Sequence, residues 1–427
     1  MSLKPKGYKE RLIDKTISDN LEVFGAVSLE GPKWCGKTWT SKNHANSEAL
    51  LDDDNDYSIA LVDLSLTLKG EYPRLIDEWQ LVPKVWDKVR REVDKTGEKG
   101  KFILTGSTKL SKKLQEKEIT HSGTGRIVRL CMHPMSLYES GVSDGKASLM
   151  DMYNGTQENA NSKKNSVEDL VTLILRGGWP ANIDTPDEKC TLIPRGYLNS
   201  VLEDIDDLNN EKRRDKRKMK MLFRALARNE TTMAGDKKLL NDIADYETEQ
   251  ERLASINTLL DYLDVLERLH ITENQNSYSI NYVSRERVGK NPKRHFTDPS
   301  LACAALKLTK EKLLKDMFTL GFMYEALVER DLRVYMEYLE GELFHFRDNV
   351  TKLEVDSIIE FADGEYAAIE IKLGAHQIDE AKTNLIKYYN LTTKKPKFMA
   401  IICGTVNAVI KDPETGIYIL PITALRP

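Results

Sequence analysis

The chain has 427 residues, enough for two or three domains that each bury an apolar core. With 40% hydrophobic residues, 30% charged residues and a net charge of -4, the composition is that of a globular protein and excludes a uniformly basic chain. The five cysteines are scattered and never form a C-x-x-C pair, which argues against a disulfide framework or a zinc site and favours the cytoplasm. Neither a signal peptide nor a transmembrane segment is expected.

The first element is an apolar, β-prone run at residues 23–30, followed by a glycine-rich turn and a helix-compatible segment. In this context the glycines let backbone N–H groups point at phosphate oxygens, and the helix adds its positive dipole end. Lys37 is expected to contact the β- and γ-phosphates, and the Thr38 hydroxyl to enter a magnesium shell. The pattern therefore predicts a P-loop that binds ATP and Mg²⁺ rather than a fortuitous turn. The loop residues are Gly31, Pro32, Lys33, Trp34, Cys35, Gly36, Lys37 and Thr38.

Two further strand patterns add polar residues to this site. Residues 73–76 lead into Asp77 and Glu78, which we expect to hold magnesium through water and to orient the attacking water, respectively. The alternative is an acidic pair that caps the following helix. Residues 101–107 form a third strand with Thr105 and Ser107 as candidates for a polar sensor near the γ-phosphate, although such residues also simply end strands.

Several stretches resemble the AAA-type ATPases of bacteria and archaea that carry a C-terminal domain of originally unknown function. The likeness is carried by residues 31–38, 75–83, 103–107, 125–126, 133–139 and 176–180. It covers most of the chain and implies hydrolysis as well as binding. It also implies an arginine after the sensor strand that completes the site, within the chain or from the next subunit of a homo-oligomer. Arg126 is the matching position, with an exposed arginine beside a glycine turn as the alternative.

The middle of the chain begins with a polar stretch, residues 140–165, that we predict to be a long surface loop or an insertion. Helical periodicity at residues 167–175 and 197–205 predicts a small helical lid. The strongly basic run at residues 211–220 has two interpretations, a nucleic-acid contact or, with greater weight, a solvated helix face.

Three helical patches, residues 219–228, 239–243 and 256–270, have the spacing of a winged helix-turn-helix, a module that the family resemblance also implies. The recognition helix would begin at residues 247–251, which carry several carboxylates. Phosphates would repel these groups, so we favour a packing or protein-contact role over reading of DNA sequence.

In the C-terminal part, residues 353–361 and 366–372 predict a β-hairpin around Asp363 and Gly364. Asp356, Glu370 and Lys372 resemble the restriction-endonuclease-like PD-(D/E)xK pattern, in which two carboxylates bind magnesium and a lysine steadies water. The apolar pattern requires the numbers of opposing residues to sum to an even value. A three-residue loop at 363–365 would then place Asp356 opposite Lys372. The resemblance implies another acid on a preceding helix, where Glu325 is the match.

We therefore predict an α/β protein with three parts: a P-loop ATPase domain with a parallel sheet (1–138), a helical and winged-helix middle (139–285) and a C-terminal α/β restriction-endonuclease-like domain (286–427). The predicted function is a Mg²⁺-dependent ATPase coupled to a nuclease-like domain that binds or cleaves DNA or RNA. The alternative is a nucleotide-gated scaffold for another protein, with an inactive nuclease-like domain.

Overall fold

The computed structural model of the protein describes residues 3–110, 112–204, 215–244, 256–279, 291–348 and 350–427. Its internal contacts divide the chain into two compact units. The first contains the described residues up to Pro134 together with Asp264–Ile271, and the second contains the others. The boundaries predicted after residues 138 and 285 stay predictions.

The regular elements are numbered in chain order. The strands are β1 (Ala26–Glu30), β2 (Ser47–Leu50), β3 (Arg74–Asp77), β4 (Phe102–Gly106), β5 (Ile127–Cys131), β6 (Ala147–Ser148), β7 (Ala160–Asn161), β8 (Thr272–Ser277), β9 (Lys293–Phe296), β10 (Glu342–Arg347), β11 (Glu354–Glu360), β12 (Tyr366–Lys372), β13 (Phe398–Cys403), β14 (Ala408–Lys411), β15 (Tyr418–Leu420) and β16 (Leu425–Arg426). The helices are α1 (Ile13–Val23), α2 (Lys37–His44), α3 (Asp54–Val62), α4 (Leu64–Thr67), α5 (Lys84–Thr96), α6 (Lys112–Glu118), α7 (Leu149–Asn154), α8 (Val167–Arg176), α9 (Leu192–Asp204), α10 (Lys216–Arg228), α11 (Asp236–Ala244), α12 (Ile256–Arg268), α13 (Pro299–Ala305), α14 (Lys310–Lys315), α15 (Met317–Tyr338) and α16 (Ile378–Leu391).

The sheet of the first unit is parallel and has the strand order β2-β3-β4-β1-β5. The predicted parallel sheet is thus confirmed, and β4 lies between β1 and β3. The carboxyl ends of parallel strands meet at one edge of a sheet, which is where ligands bind in open α/β folds. The loop after β1, the acids at the end of β3 and the hydroxyls at the end of β4 therefore share that edge.

The core of this unit follows from its sequence pattern. β1 and β4 are buried along their whole length, as continuous apolar strands of a covered parallel sheet are expected to be. Helix α5 buries Val85, Val89 and Val93, which recur every four residues on one face. The helix ends at Gly97, whose φ of 68° supplies the left-handed C-terminal cap.

The large sheet of the second unit has the order β7-β14-β15-β13-β12-β11-β10-β8-β9. Its centre is the antiparallel pair β11–β12, and β13 runs parallel to β12 on the other side. The long helix α15 and the helix α16 both pack against this central region. Strand β12 is almost wholly buried, so the polar residues on it are held in an apolar surrounding.

Residues 140–165 contain regular elements, so the first of the two predictions for this segment, a long loop, is wrong. Strand β6 pairs with β16 near the C-terminus, and β7 extends the large sheet by pairing with β14. Helix α7 lies between β6 and β7 and begins at a Ser148 cap. Strands of two residues are too short for a period-two pattern, and their partners lie more than two hundred residues away, so the sequence gives no local signal for them.

The helical patches of the middle are confirmed by α8, α9, α10, α11 and α12. The first four residues of the basic run, 211–214, and the acidic start of the proposed recognition helix, 247–251, lie outside the described residues. Strands β8 and β9 form an antiparallel pair after α12, and β8 also pairs in parallel with β10. Within the described ranges, no helix combines the length and apolarity that a bilayer crossing requires.

Candidate functional site

The phosphate loop connects β1 to α2 and depends on two glycines. At Gly31 a β-carbon would lie 2.2 Å from the Met132 carbonyl oxygen, so only glycine allows the backbones to approach this closely. Gly36 caps α2 with a φ of 106°, a conformation that side chains disfavour. Trp34 also has a positive φ, 64°, although it is not a glycine. The loop thus has the curled backbone that the motif predicts.

Two residues at the start of α2 point into this loop. The buried Lys37 ammonium donates to the carbonyl oxygens of Gly31 and Pro32 at 2.9 and 2.8 Å. The Thr38 hydroxyl donates to the Asp77 carboxylate at 3.0 Å. The structure therefore brings together the loop lysine, the loop threonine and the first acid of β3.

The Asp77 carboxylate is buried and accepts hydrogen bonds from the hydroxyls of Thr38 and Thr105. Burial raises the pKa of Asp77, and the neighbouring charge of Glu78 acts in the same direction. A cation beside the carboxylate would favour its charged form. Because carboxylate and hydroxyl oxygens are the ligands that Mg²⁺ prefers, Thr38 and Asp77 fit the expected metal.

Glu78 has a left-handed backbone, with φ of 52°, and its carboxylate is held by two donors. Ser107 donates its hydroxyl to Oε1 at 2.7 Å, and the Gln80 side-chain amide donates to Oε2. The Glu78 N–H donates to the Thr105 hydroxyl at 3.3 Å. The two predicted sensor residues therefore contact the two predicted acids. Gln80 was not predicted, and its only signal is its position two residues after Glu78.

Arg11 is a second residue that sequence reasoning missed. Its guanidinium is buried and donates to the carbonyl oxygens of Cys35 and His133, both at 2.9 Å. Arg11 thereby fixes the phosphate loop to the segment after β5. No motif surrounds this arginine in the sequence, so only the structure could reveal it.

Arg126 does not reach the phosphate edge of its own chain, so the structure does not show the within-chain arrangement, one of the two that were left open for this arginine. It precedes β5, where Ile127 pairs with Ala26 at the amino end of β1. Four further residues separate this point from Glu30, a distance of about 13 Å along the strand. The half-exposed guanidinium instead donates to Asp94 at 2.6 Å. A catalytic role would require the arginine to act on another subunit.

The second candidate site lies on β11 and β12 in the other unit. The Lys372 ammonium contacts Glu370 at 2.6 Å and Asp356 at 3.0 Å. The Ile371 N–H donates to the same Asp356 oxygen at 2.8 Å. The structure therefore brings together the three residues of the predicted D…ExK pattern.

The register that joins them differs from the predicted one. Ser357 pairs with Ile369, and Glu360 pairs with Tyr366, so opposing numbers sum to an even value, as the apolar pattern required. The predicted pairing of Asp356 with Lys372 is nevertheless wrong. The Phe361 N–H donates to the Glu365 carbonyl oxygen and the Gly364 N–H to that of Phe361, so the three-residue loop spans 362–364 instead of the predicted 363–365. This change of loop position shifts the partner of Asp356 by two residues. Asp356 consequently lies beside Glu370.

A β-bulge in β11 gives Asp356 its environment. Phe344 of β10 pairs with Ile358, but Phe346 pairs with Val355, so Asp356 and Ser357 together oppose one residue of β10. Bulges interrupt the backbone ladder and re-aim side chains. Here the Asp356 carbonyl oxygen accepts a hydrogen bond from the Lys293 ammonium at 3.2 Å.

Glu325 of α15 joins this cluster, as the family resemblance implied. Its carboxylate contacts the Lys293 ammonium of β9 at 2.7 Å. Burial raises the pKa of Glu325 to about 8, and the Asp356 charge contributes to the rise. Burial and Asp356 likewise raise the pKa of Glu370 to about 8. Burial opposes ionisation of Asp356 itself, but Lys372 and Lys293 lower its pKa overall.

This carboxylate–lysine cluster, which comprises Lys293, Glu325, Asp356, Glu370 and Lys372, is not an assembled metal centre. In the part of the chain that the structure describes, no three or more histidine, cysteine or acidic side chains are gathered to hold a metal ion. The carboxylates of Asp356 and Glu370 share the Lys372 ammonium instead.

Two family signatures of the sequence have a structural role in the second unit. The Leu137 N–H donates to Asp331 at 2.9 Å, and the Gly178 N–H donates to Asp298 at 2.8 Å. Buried Arg330 contacts Asp298 at 3.0 Å and Asp331 at 2.6 Å. This buried network ties Leu137 and Gly178, one residue of each signature, to Arg330 and Asp331 of α15.

Three family models match successive parts of the chain. Residues 24–141 match the family model of an AAA domain. Residues 167–312 match a domain of unknown function (DUF8612), and residues 320–425 match another (DUF4143). No curated protein matches the chain.

Among solved structures, the chain is similar to the Walker-type ATPase PABY2304 of Pyrococcus abyssi, with 12% identity, 71% of this chain and 99% of that chain covered, and a TM-score of 0.42. It is also similar to the ORC2 protein of Aeropyrum pernix in its ADPNP–ADP complexes, with 10% identity, 74% and 98% covered, and a TM-score of 0.31. The resemblance read from the sequence is thus confirmed in part: residues 24–141 match an AAA domain, and residues 320–425 match DUF4143.

Proposed function

We propose that this protein is a Mg²⁺-dependent ATPase. The observation that carries the proposal is the meeting of Lys37, the Thr38–Asp77 pair and the Ser107–Glu78 pair at one edge of the parallel sheet. These groups are of the types that phosphoryl transfer to water requires: a cation for the phosphates, oxygen ligands for magnesium and a base for the nucleophile.

Each residue has a distinct part in the proposed reaction. The loop N–H groups and Lys37 bind the β- and γ-phosphates and stabilise the charge that develops on them. Thr38 and Asp77 hold Mg²⁺, which supplies further neutralisation when bound. Glu78 orients the attacking water and accepts its proton, while Ser107 and Gln80 keep the carboxylate in place.

Substitution of the loop lysine tests this proposal. Lys37→Ala should lose ATP turnover, because the loop would lack the ammonium that faces its interior. Lys33→Ala is the matched control, since it removes a lysine from the same loop outside the motif position. Phosphate release by the Lys37 variant at the wild-type rate would reject the assignment.

A nucleotide-gated scaffold that binds ATP without hydrolysing it is the alternative. The orientation of Glu78 by two side-chain donors favours hydrolysis, because a pure binding site has less need of a positioned base. Steady phosphate release from wild-type protein supports the ATPase. Stoichiometric nucleotide binding without release supports the scaffold.

A second function is favoured by the carboxylate–lysine cluster. We propose that the cluster contacts nucleic acid and that ATP hydrolysis is coupled to this contact. We also propose that the protein is cytoplasmic and forms homo-oligomers. Asp356, Glu370 and Lys372 lie within hydrogen-bonding distance on adjacent strands, and Lys372 provides a cation for a phosphodiester. A metal role for Asp356 and Glu370 would require them to exchange the Lys372 ammonium for the ion.

Incubation with single- and double-stranded DNA and with RNA, in Mg²⁺ or Mn²⁺, separates cleavage from binding. Asp356→Ala should abolish any cleavage that the cluster performs. Asp363→Ala is the control, because Asp363 lies in the exposed loop of the same hairpin. If both variants cleave equally, the cluster is not the site of cleavage. If the protein binds nucleic acid without cleaving it, the cluster has a role in recognition only.

A further inference from the structure

The first turns of α15 carry two aromatic rings that the fold leaves accessible. Phe318 is 77% exposed, and its ring contacts Phe322 edge to face with centroids 4.8 Å apart. Met317 beside them is 51% exposed. Adjoining exposed apolar side chains are typical of contact surfaces.

This aromatic pair, Phe318 and Phe322, lies next to the carboxylate–lysine cluster. Phe318, Phe322 and Glu325 are spaced by four and then three residues, so they follow one face of α15. Helical side chains lean toward the amino end, which directs Glu325 over the turn that contains Phe322. At Gly321 in that turn, no atom lies within 4 Å of the position that a β-carbon would take. The rings therefore lie on the same face of α15 as Glu325, one to two turns before it.

The distance along the helix suits a nucleic-acid strand. Seven residues separate Phe318 from Glu325, which corresponds to about 10 Å of helix axis. Stacked nucleotides rise by about 3.4 Å each, so a base on the aromatic pair is only a few nucleotides from the cluster. The Glu325 side chain is 15% exposed and those of Asp356 and Lys372 are each 19% exposed, so these three groups are partly accessible, whereas Glu370 is buried.

The segment before the aromatic pair is positively charged. Exposed lysines outnumber the acids Glu311 and Asp316 in this segment, whose helix α14 packs against α15. The lysines are Lys307, Lys310, Lys312 and Lys315. Such a charge attracts phosphates and distinguishes the surface from a purely apolar docking site.

We infer that the aromatic pair is a stacking platform that delivers single-stranded nucleic acid to the carboxylate–lysine cluster. Aromatic faces stack on unpaired bases, whereas the bases of a duplex already stack on one another. The inference rests on the proposed nucleic-acid role of the cluster and is independent of ATP hydrolysis.

Fluorescence anisotropy with labelled oligothymidylate, and with a duplex of equal length, tests the platform. Replacing both rings, as Phe318→Ala with Phe322→Ala, should weaken single-strand binding about tenfold or more, since stacking of one base is worth about 1–3 kcal/mol. Phe318→Tyr with Phe322→Tyr retains two stacking faces and should bind as wild type does. Val62→Ala removes an 88% exposed apolar side chain from the other unit and serves as the control.

Four outcomes would each overturn the inference. The double alanine variant could bind as wild type does, or the Val62 control could lose as much binding. Wild type could bind the duplex more strongly than the single strand, or it could bind neither probe. Thermal unfolding and ATP hydrolysis of the same variants should match wild type, because Phe318 is exposed and both rings lie outside the phosphate-loop unit. A binding loss that tracks lowered thermal stability would also overturn it. If single strands bind but are never cleaved, the cleavage proposal fails while the platform stands.

Discussion

The Glu78→Gln variant keeps the size of the side chain but removes the charge that would accept a proton from water. In the structure this carboxylate accepts hydrogen bonds from Ser107 and Gln80. Loss of a positioned general base costs about 10²–10⁴ in rate, or about 3–5 kcal/mol of barrier. ATP binding should remain, because Lys37 and Thr38 are unchanged.

Replacing the neighbouring Ser107 should lower the rate of ATP hydrolysis by a smaller factor. Ser107→Ala removes one hydrogen bond to a charged group, worth about 1.5–3 kcal/mol. If all of it serves to position Glu78, turnover falls by about 10–100-fold, which is less than for Glu78→Gln. Ser107→Thr, which keeps a hydroxyl, should recover part of the rate.

The assay is phosphate release at saturating MgATP, with nucleotide binding measured separately. Glu22→Gln in α1 is the control, since it neutralises an exposed glutamate away from the site. Turnover of Glu78→Gln within a few-fold of wild type would refute the role of Glu78 as the base. A complete loss of nucleotide binding in this variant would show that Glu78 acts on the nucleotide rather than on water.

Three further predictions concern the charged residues Arg330, Asp14 and Arg126. Arg330→Met removes the guanidinium that contacts the buried Asp298 carboxylate, so it should lower the free energy of unfolding by about 3–5 kcal/mol. The variant should therefore have a lower melting temperature than wild type. An unchanged melting temperature would contradict this prediction. Burial opposes ionisation of Asp14, but hydrogen bonds, first among them that from His44, lower its pKa. The stability that this lowered pKa contributes is present above the ordinary aspartate pKa of about 3.9, and it is lost as the pH falls through the lower pKa of the folded state. Asp14→Asn should therefore unfold at lower urea concentration than wild type at neutral pH. In strong acid the two proteins should be equally stable. Arg126→Ala should hydrolyse ATP as wild type does at dilutions where the chain is monomeric, because the side chain faces Asp94; a loss under those conditions would restore a role within the chain.

The sequence predicts the phosphate site well because local pattern and topology agree there. The buried strands before Gly31 and Asp77 and the strand ending near Ser107 are continuous apolar runs, and polar residues follow each of them. Such runs form parallel strands whose ends meet, so their neighbours converge without further information. The resemblance does not tell whether Arg126 acts within its own chain, because a motif match fixes a position in the chain but not the edge of the sheet on which it falls.

The sequence predicts that Asp356, Glu370 and Lys372 lie together, but it does not predict the pairing of β11 with β12 that joins them. Alternation on β11 and β12 fixed the parity of the pairing, since a one-residue slip would move every side chain to the other face. The position of the loop and the bulge at Asp356 depend on the turn at Phe361 and on β10, which the alternating pattern does not encode. Lys293 enters the cluster from β9, and nothing in its surrounding sequence marks it as a partner of Glu325.

Calorimetric titration of MgATP into the wild-type protein tests the central claim most directly. A loop that cradles a triphosphate should give a saturable heat with one site per chain, and Lys37→Ala should remove it while Lys33→Ala retains it. The absence of any binding heat for wild type at millimolar MgATP, with no heat from guanine nucleotides either, would contradict the nucleotide site and the ATPase built on it.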